Sequence, residues 1–215
     1  MIRLLSFFYP ITRKVKSDYN GTIEITWYNG QKQLNSKNAN YSYGSLQKIL
    51  KIGLQKIDLG HCKNILLLGL GGGSVINTLR DNFNYDNNII AIDIDPVIIL
   101  IAQDEFNITN DEKLTVLCED AFEFMKNNSL KFDLIIVDLF VDTDIPKSFY
   151  TRTFWQHIIK ATTNKGSILF NASLHSSDDK KLSDVSTLLH KNKFQLQKLK
   201  NVNKTNTLLI ATLAM

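Results

Sequence analysis

Glycines and carboxylates recur in this chain where runs of apolar residues end. The first such place is the turn Gly69-Leu70-Gly71-Gly72-Gly73-Ser74, directly after Ile65-Leu66-Leu67-Leu68. Glycines there let the backbone turn sharply and let a ligand come close, and a helix that follows opens with N–H groups lacking intrahelical partners. A dinucleotide fingerprint would carry glycine where Ser74 stands, so the turn fits that reading imperfectly. The next apolar run, Ile89 to Ile92, ends in Asp93, within Ala91-Ile92-Asp93-Ile94-Asp95-Pro96. An acidic side chain after a second strand can accept the hydroxyl protons of a ribose. Asp95, just before a proline, reads as a helix N-cap. Asp120, in Cys118-Glu119-Asp120-Ala121-Phe122, can receive the exocyclic amine of adenine with Phe122 or another apolar neighbour stacking nearby; it can also cap a helix, and both roles are compatible. Asp138 closes the run Leu134 to Val137, with Asp142 and Asp144 soon after. Carboxylates so close together attract a cation, or raise the pKa of one member until it can act as a base. A solvated loop is the plainer alternative for Asp142 and Asp144.

These positions need a scaffold, and the pattern around them supplies one. From Asn64 onward, short apolar runs (65–68, 89–92, 114–117, 134–137, 168–170) alternate with helical stretches near 74–82, 96–106, 121–127, 149–162 and 178–191. Continuous apolar runs suit strands buried on both faces, and their alternation with helices predicts a doubly wound parallel sheet. The tail departs from this rhythm. Phe194 to Leu199 and Thr207 to Leu213 are strand-like and joined by a polar turn with no helix, so they must pair antiparallel. The expectation is therefore an α/β, Rossmann-like domain of the class I methyltransferase fold over residues 45–215, its seven-stranded sheet mostly parallel with a C-terminal antiparallel strand. Residues 1–44 are expected to form a short N-terminal segment built on one β-hairpin. There Thr22 to Tyr28 alternates, Asn29-Gly30 suits a type I′ turn, and Gln31 to Leu34 returns. A helix from about Ser45 to Ile57 follows.

Composition excludes several classes. With 44% hydrophobic and 21% charged residues the 215-residue chain is globular, and it can bury a substantial core. The net charge of +4 is mild, and Lys126, Lys131, Lys180, Lys181 and Lys191 are scattered, so no nucleic-acid partner is expected. Cys62 and Cys118 lie far apart without a CxxC pair, which points to reduced thiols in the cytoplasm and to no metal site. The apolar N-terminus is interrupted by Pro10 and reads as a strand or surface-packed arm, and no run suits a membrane span.

Taken in order, the Gly-rich turn, Ile92-Asp93-Ile94-Asp95-Pro96, Glu119-Asp120-Ala121-Phe122-Glu123-Phe124 and Phe132-Asp133-Leu134-Ile135-Ile136-Val137-Asp138 form a series that resembles the spermidine synthase (aminopropyltransferase) family. Phe149-Tyr150-Thr151-Arg152-Thr153-Phe154-Trp155 is similar to that family's Leu-Phe-Thr-x-x-Phe-Tyr segment, and the likeness covers residues 41 to 172. The 22–34 hairpin resembles a shortened form of the family's N-terminal β-domain. The resemblance implies that Gly69, Gly71, Gly73, Asp93 and Asp120 bind the nucleoside of S-adenosylmethionine or its decarboxylated form. It implies that Asp138 is the catalytic aspartate, which takes a proton from an attacking amine as 5′-methylthioadenosine leaves. A homodimer is implied as well. This chain departs from the family at three places. Gly72 stands where an aspartate usually contacts the donor's aminopropyl amine. Asp138-Leu139-Phe140-Val141 replaces Asp-Ser-Ser-Asp, with Asp142 one position beyond the second aspartate. Asn171-Ala172-Ser173 replaces Gln-Thr-Glu. Three readings stay open: an aminopropyltransferase-like enzyme, an S-adenosylmethionine methyltransferase, and a non-catalytic nucleoside-binding homologue.

Overall fold

A computed structural model of the chain describes residues 1–173 and 179–213. The N-terminal segment opens with a short helix, α1 (Ile2–Leu5), none of whose residues is buried. Four antiparallel strands follow in the order β1 (Ile11–Ser17), β2 (Gly21–Tyr28), β3 (Gln31–Asn35) and β4 (Asn40–Ser42). The expected hairpin is therefore the middle of a larger sheet. Asn29 and Gly30 both have positive φ, 48° and 74°, as a type I′ turn demands. The flanking strands escaped notice because β1 is mostly exposed and charged, and β4 is three residues long.

The larger sheet has the order β10-β11-β9-β8-β5-β6-β7. Its central strands are β5 (Asn64–Leu68), β6 (Asn88–Asp93), β7 (Leu114–Cys118), β8 (Phe132–Val137) and β9 (Thr162–Ser173), paired in parallel. β10 (Phe194–Val202) and β11 (Asn206–Leu213) complete it, and β11 runs antiparallel to both of its neighbours, as the helix-free tail requires. The apolar runs work as two-faced strands. Ile65 and Leu67 enter the core beneath α2 (Gly44–Leu54), α3 (Ser74–Phe83) and α4 (Pro96–Phe106). Leu66 and Leu68 enter the opposite core, against α5 (Ala121–Asn127), α6 (Arg152–Ala161) and α7 (Asp179–Lys191). Period-two alternation thus divides each run between two helix layers. The helix expected from 149 is a 3₁₀ turn, Lys147–Tyr150, and then α6, whose first turn is capped by Thr151.

The four-stranded sheet is fastened to the first of these layers. Ile23, Ile25 and Leu34 join its core. Glu105 on α4 pairs with Arg13 at 2.6 Å and Lys32 at 2.8 Å. Asp95, fully buried, caps α4 through Val97 N at 2.9 Å and also accepts from Ser17 and Asn20, so one carboxylate starts a helix and anchors the small sheet. Among the described residues, no helix is long and apolar enough to cross a membrane.

Candidate functional site

Parallel strands place their C-terminal ends at one edge, and ligands of open α/β sheets bind outside that edge. Here a cleft of about 750 Å³ lies there, within the size range of small-molecule sites. Gly69, Gly71, Asp93, Asp120, Asp138 and Asp142 all line it. Gly73 and Asp144 do not. The small sheet forms part of the wall, through Tyr19 and Asn20 of the β1–β2 turn and Tyr41 of β4.

The Gly-rich turn is shaped by close backbone approach. A Cβ on Gly69, at φ +94°, would stand 2.0 Å from the Asp138 carbonyl oxygen, and one on Gly71, at φ +53°, would stand 2.8 Å from that of Tyr41. Gly73 begins α3, and its missing side chain makes room for Ile108 rather than for a ligand. Two amides of the turn and the first amide of α3 are engaged within the protein. Leu70 N and Gly71 N donate to Asp93 Oδ2 at 3.1 and 3.2 Å, and Ser74 N donates to Ser42 Oγ at 3.2 Å.

Asp93 also accepts from Asp95 N at 3.0 Å through Oδ1. Of roughly four acceptor positions on a carboxylate, three are used, leaving room for one ribose hydroxyl rather than both. Burial pushes its pKa up to about 6 in spite of these bonds. Asp120 caps α5 by accepting from Phe122 N at 2.8 Å and Glu123 N at 3.1 Å, both through Oδ1, while its carboxyl still borders the cleft. The two roles read for it coexist. Phe122 does not stack there, because its ring packs on Phe154 at 5.8 Å in the opposite core. Ile94, Ile98 and Ala121 are among the apolar residues that line the cleft with Asp120.

Asp138 ends β8 at the middle of the edge. Asn171 Nδ2 donates to its Oδ1 at 2.8 Å, and its Oδ2 has no partner among the described residues. Burial raises its pKa to about 6; the Asn171 hydrogen bond opposes this and the Asp93 charge adds to it. The rim carboxylates play another part than the one expected of them. Asp142 accepts from Ser36 Oγ and Asn38 N through Oδ1 and from Asn38 Nδ2 through Oδ2, and its own N–H donates to Tyr41 Oη at 2.6 Å. Burial pushes its carboxyl upward, but those hydrogen bonds outweigh it and leave the group below the ordinary range. Asp142 thus clips the β3–β4 loop to the rim, while Asp144 forms a short bridge with Val141.

Asn171, Asn206, Tyr41 and Lys204 also line the cleft, outside the expected set of site residues. Asn171 ends the buried run Ile168-Leu169-Phe170 just as Asp93 and Asp138 end theirs, and that signal was available. Tyr41, Asn206 and Lys204 come to the cleft only through strand pairing.

The model of the family described as spermine/spermidine synthase domain matches residues 47–205. The chain belongs to that family. Among relatives of this spermine/spermidine synthase domain protein, a polyamine aminopropyltransferase of Vibrio vulnificus is 30% identical over 112 residues, covering 51% of this chain and 37% of the relative. An eEF1A lysine and N-terminal methyltransferase homolog of Drosophila melanogaster is 29% identical over 140 residues, covering 60% of this chain and 20% of the relative. The chain therefore spans well under half the length of either. Human methyltransferase-like protein 13, solved in complex with SAH, superposes with a TM-score of 0.65 at 21% identity, covering 80% of this chain and 83% of that one, a likeness of fold.

Proposed function

We propose that this chain is a transferase of the aminopropyltransferase type, which holds the nucleoside of an S-adenosylmethionine-like donor and passes its alkyl group to an amine. The observation that carries the reading is Asp138: a carboxylate at the mid-edge of the cleft, oriented by Asn171 through one oxygen, with the other oxygen unengaged among the described residues. In this proposal Asp93 accepts a ribose hydroxyl, Asp120 receives the adenine amine, and Gly69 and Gly71 let the nucleoside lie close to the backbone. The donor supplies an activated C–S bond. Asp138 holds the acceptor's amine and takes its proton during in-line attack, since a free alkyl ammonium, with a pKa of about 10, has no lone pair. Residues 45–215 form the catalytic domain, residues 1–44 wall the cleft, and the protein works in the cytoplasm as a homodimer.

Methyl transfer is the second reading. It is favoured by the Drosophila relative, an eEF1A lysine and N-terminal methyltransferase homolog. The test is a thermal-shift screen with S-adenosylmethionine, its decarboxylated form and 5′-methylthioadenosine, since a ligand that binds only the folded state raises Tm. All three should raise the Tm of the wild type, and the shifts should shrink in Asp93→Ala. No shift with any of them would end both readings.

A further inference from the structure

We propose that the acceptor half of the cleft takes a primary amine carrying an anionic group at its far end, an amino-acid-like zwitterion, in place of a diamine or polyamine; this rests on the transferase reading above. Strand order lays the site out along a line. Asp120, Asp93 and Gly69 stand at the ends of β7, β6 and β5, Asp138 ends β8, and beyond it come Asn171 on β9 and the β10–β11 turn with Lys204, Thr205 and Asn206. Neighbouring strands are about 4.8 Å apart, so the cleft continues for roughly 10 Å from β8 to β11, away from the nucleoside side.

A diamine needs a carboxylate at each end of that half, and among the described residues the cleft offers it one. Asp142 turns both oxygens onto Ser36 and Asn38 and has Lys37 near it, and Asp144 is off the lining. Among the described residues the far end is lined instead by neutral Asn201, Thr205 and Asn206 and by one cation, Lys204, which has no ion pair with any of them. A second ammonium would meet Lys204 as a like charge, whereas a carboxylate would meet it as a partner. During transfer the amine nitrogen forms the new N–C bond as the donor's C–S bond breaks. The electron pair of that bond returns to sulfur as a neutral thioether, and the nitrogen's proton passes to Asp138.

Putrescine and 4-aminobutyrate share a four-carbon spacing and differ at one terminus, so together they isolate the question. Calorimetry on the whole chain with 5′-methylthioadenosine present should show 4-aminobutyrate binding about fivefold more tightly than putrescine. Lys204→Asn, which suits the turn's φ of 68°, should erase that preference, and Lys204→Glu should reverse it. Equal binding, tighter putrescine, binding of neither amine, or variants that leave the ratio unchanged would overturn the proposal. If 5′-methylthioadenosine itself fails to bind, the transferase reading falls separately, and the same amine ratio measured without it still decides the acceptor end.

Discussion

Asn171 Nδ2 donates to Asp138 Oδ1 at 2.8 Å, and Asn171 Oδ1 in turn accepts from Asn206 Nδ2 at 2.8 Å. Thr205 Oγ1 completes the chain by donating to Asn206 Oδ1 at 2.7 Å. Asn171 is fully buried and Asn206 almost so, so each amide's orientation is set by the next. The C-terminal hairpin thereby reaches the central carboxylate through two side chains.

Asn171→Ala should move the acid limb of the reaction to higher pH. The Asn171 hydrogen bond is what holds the Asp138 pKa down against burial, so its loss lets that pKa climb above about 6. Leaving Asn206 without its partner should also cost about 1–3 kcal/mol of stability. Rate profiles against pH, run beside denaturant unfolding, separate the two effects. An unmoved limb in a destabilised but folded variant would make Asn171 a purely structural residue.

Stability itself should depend on pH through Asp93 and Asp138, each raised from 3.8 to about 6 by burial. In the unfolded chain these carboxyls ionise near pH 4. Between about pH 4 and pH 6 the folded state binds more protons than the unfolded state, so stability falls as pH rises through that window and levels off above it. Asp138→Asn removes one of the two groups and should be more stable than the wild type above pH 6, by on the order of 2 kcal/mol. Unfolding midpoints at pH 4, 5, 6 and 7 measure it, and a flat profile would refute it.

The scaffold was legible because apolar runs such as Ile65 to Leu68 can be satisfied only with both faces covered. Asp93, Asp120 and Asp138 were legible because each follows such a run. What escaped was everything set by the approach of distant segments. Asn206 meets Asn171 through antiparallel pairing across 35 positions, and Tyr41 arrives on a strand of three residues. The rim was misread for a related reason. Three nearby aspartates suggest one acidic pocket, but both oxygens of the Asp142 carboxylate are taken by Ser36 and Asn38, more than a hundred positions earlier in the chain.

Gly72 carries a sharper correction. A Cβ there would lie 2.9 Å from Ser42 Cβ and 3.2 Å from Phe106 Cε2, and Gly72 does not line the cleft. Gly72→Asp should therefore drive a carboxylate into the joint between β4 and α4 rather than restore a donor contact. The expected result is a loss of roughly 2–4 kcal/mol by chemical denaturation, with no gain in preference for decarboxylated S-adenosylmethionine. A stable variant that prefers the decarboxylated donor would show that Ser42 can move aside and that the turn selects the donor after all.

Asp138→Asn bears most directly on the chemistry. The amide oxygen can keep accepting from Asn171 Nδ2, so the local geometry survives, but the group can no longer take a proton. If the variant is more stable than the wild type above pH 6, lost turnover there cannot be blamed on unfolding. Transfer to any amine should fall by about 10²–10⁴-fold, the usual worth of a positioned general base, while affinity for 5′-methylthioadenosine changes little. Mass spectrometry of the products then separates the readings. 5′-Methylthioadenosine released by the wild type and not by the variant identifies alkylamine transfer assisted by Asp138. S-adenosylhomocysteine with a methylated acceptor identifies methyl transfer instead. Equal turnover by variant and wild type would remove Asp138 from the proton path, because an amide cannot take the proton.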